Sequence, residues 1–314
     1  VSDPRLPSPL QRLEWSRLSG VQLWVKRDDL IHPIISGNKW RKLKGIFEAT
    51  PGSPTSPQGE PTMVVSFGGA YSHHLSALAL CLERQRWRGL FIVRGEELNE
   101  RSNLTLRYCA ERGVKMRFVS RARYQALRER GWSLTPEERA EWRIPEGAFT
   151  VPEGGDSPLA SSGCEALWPE LSAQWVERQA QAEHTPSIDE LWLCAGTGAT
   201  ARGLLRGMPI SSTTRVVVVS AVRGARREEA QTLRVAHEMG IGCEWVDERR
   251  FGGFGRQSEA LIRLRAEGME ETGIWIDPVY QSKLWWELIE RRDQLQGKRV
   301  VWLHTGGAQA LSDP

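Results

Sequence analysis

Lysine is rare in this chain and unevenly placed. Only seven of the 42 Lys and Arg side chains are lysine, and four of them, Lys26, Lys39, Lys42 and Lys44, fall within VKRDDLIHPIISGNKWRKLK. Arginine carries the general surface charge. What an ammonium adds is the capacity to lose its proton, attack a carbonyl and form a Schiff base, which a guanidinium does not do. A cluster on a solvated helix face would give the same spacing. A second chemistry-bearing segment is CAGTGATARG, residues 194–203, whose small residues can turn backbone N–H groups toward an anion with the positive end of the next helix behind them. Gly196, Gly198 and Ala201 also satisfy the dinucleotide pattern GxGxxA. That pattern needs an acidic residue at the end of the following strand, and RVVVVSAVRG ends at Ser220 with Arg223 beyond, which would suit only a 2′-phosphate. No GK[ST] follows the glycines, which excludes a Walker A loop, while a plain connecting turn would use the same residues. The third segment, SFGGAYSHHLSALA, sets Ser72 on a helix-entry loop ahead of His73 and His74.

These residues need elements to hold them. VQLWVKRD alternates like a short strand, and NKWRKLKGIFEA places Trp40, Leu43, Ile46 and Phe47 at helical spacing, so Lys39 opens a helix just after a glycine. The Pro/Gly/Ser-rich stretch 50–62 reads as a loop and a boundary region. TMVVSFGGAYSHHLSALALCLERQ reads as strand, Gly-Gly turn and amphipathic helix. GLFIVRG, NLTLRYCAERG and VKMRFVS repeat the alternation. Residues 131–150 read as polar and irregular. FTVPEGG leads toward a helix, SIDELWLCAGTGATARGLLRG is a third strand-loop-helix unit, and TRVVVVSAV is a buried strand. The segments GIWIDPVYQSKLWWEL and RVVWLHTGGAQAL close the chain. Strands that feed glycine loops at their C-terminal ends indicate parallel α/β architecture, with ligands expected at those ends.

Composition narrows the function further. The 314 residues are 40% hydrophobic and 26% charged with a net charge of +3, which offers no basic nucleic-acid surface. The apolar runs fall short of the roughly 18 residues a membrane span needs. The opening VSDPRLPSPL has no apolar h-region, and a cytosolic protein is expected. The five cysteines are scattered without a CxxC, and no HxxxH or HExxH occurs. Neither a disulfide framework nor a metal site is expected, and the cysteines read as small buried hydrophobes.

GNKWRKL, SFGGAYSHHLSALA, GTGAT, DPVY and HTGG, taken together and in this order, resemble the 1-aminocyclopropane-1-carboxylate deaminase and D-cysteine desulfhydrase family. Members are pyridoxal-phosphate enzymes of the tryptophan synthase β-like fold, fold type II. The resemblance spans nearly the whole chain. It implies two open parallel-sheet α/β domains, a larger cofactor-binding one from 1–46 and 156–314 and a smaller inserted one from 47–155, in a homodimer acting on a small amino acid. It makes Lys39 the Schiff-base lysine, with Asn38 beside it and Lys42 near the cofactor phosphate. Ala195, Gly196, Thr197, Gly198, Ala199 and Thr200 would cradle that phosphate. Ser72 and Tyr280 match catalytic positions, and Thr305 with Gly306 would line the pyridine side of the ring. Two positions depart from the family. His73 stands where asparagine usually contacts the phenolic oxygen, and Gln281 stands where cyclopropane deaminases carry glutamate and desulfhydrases a neutral residue. A neutral group holds the pyridine nitrogen protonated less firmly than a carboxylate. The expected reaction is therefore β-elimination from a small D-amino acid bearing a β leaving group, as in a D-cysteine desulfhydrase, giving a 2-oxo acid and ammonia. Cyclopropane deamination, a catalytically altered binding protein and an NAD(P)-dependent oxidoreductase are the alternatives.

Overall fold

The computed structural model describes residues 3–49, 63–180, 186–247 and 251–307. The stretch 50–62, read above as a boundary loop, lies outside the described residues. Among the described residues ten strands run in chain order: β1 Leu10–Arg12, β2 Gln22–Lys26, β3 Val64–Gly69, β4 Gly89–Arg94, β5 Lys115–Val119, β6 Phe149–Val151, β7 Glu190–Ala195, β8 Arg215–Ser220, β9 Cys243–Val246 and β10 Arg299–Leu303. They form two sheets, in the orders β1-β2-β10-β7-β8-β9 and β5-β4-β3-β6. Every pairing is parallel except β1 with β2. Among the described residues the chain divides into two compact units. One is drawn from Val1–His32, Ser36–Asn38 and Cys164–Gly307, the other from Pro33–Ile35 and Lys39–Gly163.

In the first unit β7 (ELWLCA) and β10 (RVVWL) are nearly continuous apolar runs, as expected of parallel strands covered on both faces. Alternation then assigns each side chain to a layer. Leu191, Leu193, Val216, Val218 and Val301 pack with Leu171, Trp175, Leu204, Leu205 and Val235 from helices Leu167–Arg178, Ala199–Gly207 and Arg226–Glu238. Trp192, Cys194, Val217, Val300 and Trp302 face the other way, onto Leu264, Leu284, Trp285 and Leu288 from helices Glu259–Thr272 and Gln281–Glu290.

The second unit repeats the plan around its four-stranded sheet. Val64, Phe91, Val93 and Met116 join Leu43, Ile46, Leu75 and Leu78 from helices Asn38–Ala49 and His73–Gln85. Val65, Phe67, Leu90, Ile92 and Val119 pack with Tyr124, Leu127, Trp142 and Ile144. These last residues correct the reading of 131–150 as irregular. Helix Pro136–Glu141 lies there, started by a capping box in which Glu138 N–H donates to Thr135 Oγ1 and Thr135 N–H donates back to the Glu138 carboxylate. Trp142 and Ile144 behind it are buried. Three of the cysteines are buried, while Cys81 and Cys243 are only half-buried. Among the described residues no helix is long and apolar enough to cross a membrane.

Candidate active site

In the first unit the residues picked out from sequence converge on the C-terminal ends of β7 and β10. The chain leaves β7 at Ala195 and turns through Gly196, Thr197 and Gly198 into helix Ala199–Gly207. Gly198 has φ +74°, and a Cβ there would come within 2.9 Å of both Arg202 Nη1 and Thr232 Oγ1, so only glycine lets the loop close. Arg202 Nη1 donates to the Thr197 carbonyl (3.0 Å) and braces the turn from behind. The Thr197 hydroxyl oxygen is buried with no hydrogen-bond partner. Leaving such a group unsatisfied costs roughly 1–3 kcal/mol, which an anion seated on the loop would offset.

The segment just before Lys39 is fastened to this site twice. Asn38 N–H donates to Thr305 O (3.0 Å), and its side-chain amide donates to Thr200 Oγ1 (3.2 Å). Gly37 (φ +59°) crosses the Thr305 backbone so closely that a Cβ would lie 1.9 Å from its carbonyl oxygen. Ser36 Oγ exchanges hydrogen bonds with Gly307. The DPVY turn is shaped by Asp277, whose carboxylate accepts from the N–H groups of Val279, Tyr280 and Gln281. Burial pushes this carboxyl up while the three donors pull it down, and burial prevails. The turn sets the Tyr280 phenol against the loop, because a Cβ on Gly196 would meet its oxygen at 3.3 Å. Gln281 is fully buried. Its Nε2 donates to Thr305 Oγ1 (2.8 Å), and Trp302 Nε1 donates to its Oε1 (2.8 Å).

The second unit gathers the remaining candidates at the starts of two helices. Lys39 and Lys42 lie in the first turns of helix Asn38–Ala49, and Lys42 Nζ donates to Gly154 O (3.2 Å). Ser72 caps helix His73–Gln85, its Oγ accepting from Leu75 N–H at 3.4 Å. Burial and the nearby Lys39 charge push His73 down to about 4. His74 falls to about 3 for the same reasons, with Lys42 adding to the effect. Ser66 Oγ donates to Val151 O (2.9 Å), so at His74 it must accept, and the proton of that imidazole sits on Nε2. Both imidazoles are neutral at pH 7.

No family model matches the chain. A protein of Pyrococcus abyssi named as a candidate 1-aminocyclopropane-1-carboxylate deaminase is 30% identical over 97% of this chain and 90% of its own length. The chain belongs to the 1-aminocyclopropane-1-carboxylate deaminase and D-cysteine desulfhydrase family. A bifunctional D-cysteine desulfhydrase/1-aminocyclopropane-1-carboxylate deaminase of Arabidopsis thaliana is 24% identical over 98% of this chain and 78% of its own. The fold agrees: the crystal structure of an ACC deaminase homologue superposes with a TM-score of 0.72 at 22% identity, covering 97% of this chain and 92% of that one.

Membership in the deaminase and desulfhydrase family gives the departure at 281 physical content. A carboxamide at 281 is held by an indole donor on one side and a hydroxyl acceptor on the other, a complete network with no charge in it. Sequence reasoning did not single out Asp277, Trp302 or Arg202. Asp277 had a signal, since an aspartate opening a D-P-x-x turn readily accepts from the next backbone N–H groups. Trp302 and Arg202 had none, because a strand tryptophan and a helix arginine read as packing and surface.

Proposed function

We propose that the chain is a pyridoxal-phosphate-dependent lyase that removes a β-substituent from a small amino acid and yields a 2-oxo acid and ammonia. The carrying observation is Gln281, fully buried and neutral within the Trp302–Gln281–Thr305 network. The cofactor, when bound, supplies an electron sink for negative charge at the substrate α-carbon. A neutral neighbour makes a weaker sink than a carboxylate would. That suffices when a good leaving group departs from the β-carbon and serves cyclopropane opening poorly.

The residues present suit the cofactor. The unpartnered Thr197 hydroxyl and the close-packed Gly196 and Gly198 fit a phosphate on the loop 195–200. Lys39 is the residue proposed to hold the cofactor covalently. Asn38, Lys42, His73, Gln281, Thr305 and Gly306 complete its surroundings. Ser72 Oγ accepts one long hydrogen bond from its own helix, which leaves its proton to be donated to a substrate carboxylate. Lys39 and Ser72 carry the protons, and the family resemblance makes Tyr280 the third catalytic residue. An NAD site would need an acidic residue at the end of β8. Ser220 stands there instead, its hydroxyl donating to Val222 O. The family resemblance supports a homodimer and a smaller domain, 47–155, inserted into a larger one of 1–46 and 156–314.

The test is cofactor uptake followed by a turnover screen. Wild type is expected to show the visible absorption of a lysine Schiff base, Lys39→Ala to lose it and Lys44→Ala to keep it. Release of 2-oxo acid is then measured from D-cysteine, β-chloro-D-alanine, L-cysteate and 1-aminocyclopropane-1-carboxylate. Turnover of the cyclopropane substrate alone overturns the elimination reading. No turnover of any substrate leaves a binding protein.

A further inference from the structure

A second concave site lies wholly within the smaller sheet's unit, at the C-terminal ends of its strands. It is a cavity of about 630 Å³ lined by three guanidinium groups, those of Arg94, Arg121 and Arg128. Two are answered by carboxylates: Arg121 pairs with Glu97 at 2.7 Å and Arg128 lies 3.9 Å from Glu153. Glu153 also accepts from the Tyr124 hydroxyl (2.9 Å). Arg94 differs. It is exposed at the last position of β4, its guanidinium stands 5.7 Å over the Tyr124 ring, and among the described residues no carboxylate lies within ion-pair distance of it.

The walls favour negative charge independently of Arg94. Asn103 and Ser120 cap helices Leu104–Glu111 and Arg121–Glu129, whose positive ends open at the cavity rim. Gly69 pairs with Arg94 across the sheet, where a Cβ would make only an ordinary contact of 3.5 Å with Arg94 Nη2. Ala70 and Tyr71 line the cavity and run straight into Ser72.

We propose that this cavity binds an oxyanion, a sulfonate, carboxylate or phosphate group, on the Arg94 guanidinium. A planar fork without a counter-charge and beside two helix N-termini is built for bidentate contact with such a group. The anionic β-substituent of an amino acid and a free inorganic anion present the same chemistry. The first source rests on the lyase reading above. The second does not.

Calorimetric titration with inorganic sulfate decides the site, on protein loaded with pyridoxal phosphate and then freed of excess cofactor, so that the glycine loop is occupied and no free phosphate ester competes. Wild type is expected to bind sulfate, Arg94→Gln to bind it about tenfold more weakly or worse, and Arg94→Lys to lie between. Circular dichroism checks that the variants fold, and Arg94→Lys carries the comparison if Arg94→Gln does not. Equal binding by wild type and both variants, or none by wild type, overturns the proposal. A turnover arm separates the sources. If the anion is the substrate's own, Arg94→Gln raises KM for L-cysteate about tenfold relative to KM for β-chloroalanine of the same chirality, with kcat for cysteate little changed. If it is a free ion, that ratio stays put while sulfate affinity falls. The calorimetry needs no turnover, so absence of lyase activity would sink the proposed function and leave the oxyanion site still decided.

Discussion

His73 and His74 sit beside lysines yet stay neutral, and the sign of the resulting pH dependence follows directly. Their ordinary pKa of 6.5 is depressed to about 4 and about 3 in the folded chain. As pH falls from about 6.5 toward 4, the unfolded chain takes up protons that the folded chain refuses, so stability is present above that window and is lost on acidification through it. The limiting slope is about 1.4 kcal/mol per pH unit for each histidine, shallower for the half-buried His73, where solvent screens part of the effect. His73→Asn removes one of the two contributions. The urea midpoint of the variant is therefore expected to fall less than that of wild type between neutral pH and about pH 5. Parallel curves would show that His73 titrates normally.

Helices and strands act through their contacts, and three glycines show how tightly. Gly268 in helix Glu259–Thr272 packs under the buried indole of Trp285, so close that a Cβ would fall 1.9 Å from its Cζ3. Gly268→Ala therefore overpacks a full core and is expected to cost about 1–3 kcal/mol despite alanine's better helix propensity. An unchanged thermal midpoint would contradict that contact. Helix Asn38–Ala49, which carries Lys39 and Lys42, meets helix Pro158–Glu165 through Gly45 and Gly163; a Cβ on either would lie 2.2–2.3 Å from a carbonyl oxygen of the other helix. Much of this level was legible in sequence. The apolar runs of β7 and β8, the glycine turn between β7 and its helix, and the helical spacing after Lys39 each depend on neighbours within a few positions. The T-P-E-E start at Thr135 was equally local and was passed over because the stretch around it is polar. What could not be read were partners far apart in the chain. Nothing near Gln281 announces that Trp302 will supply its donor, and nothing near Gly268 announces an indole seventeen positions on.

Across the whole molecule, the scarcity of lysine acquires a different sense once each ammonium has been located. Lys26 and Lys283 are almost completely buried and Lys42 nearly so. Lys26 Nζ is held by the Ser8 carbonyl, Glu170 and Gln174, and Lys283 Nζ by the carbonyls of Ala221 and Gly253. Two of seven ammonium groups thus serve as compact internal pins, a use that lysine clustering alone does not distinguish from reactivity. Lys39 and Lys298 are half-buried, and only Lys44 and Lys115 stand exposed. An acylating reagent would therefore meet a surface rich in cationic side chains but almost devoid of amines. Brief acetylation followed by peptide mass mapping is expected to mark Lys44 and Lys115 first and to spare Lys26 and Lys283 until the chain unfolds. Early modification of either pin would contradict its burial. With so few competing amines, acylation at Lys39 and its suppression by an added aldehyde ligand can be read against Lys44 and Lys115 as internal standards, so that the protein's few amines report its own occupancy.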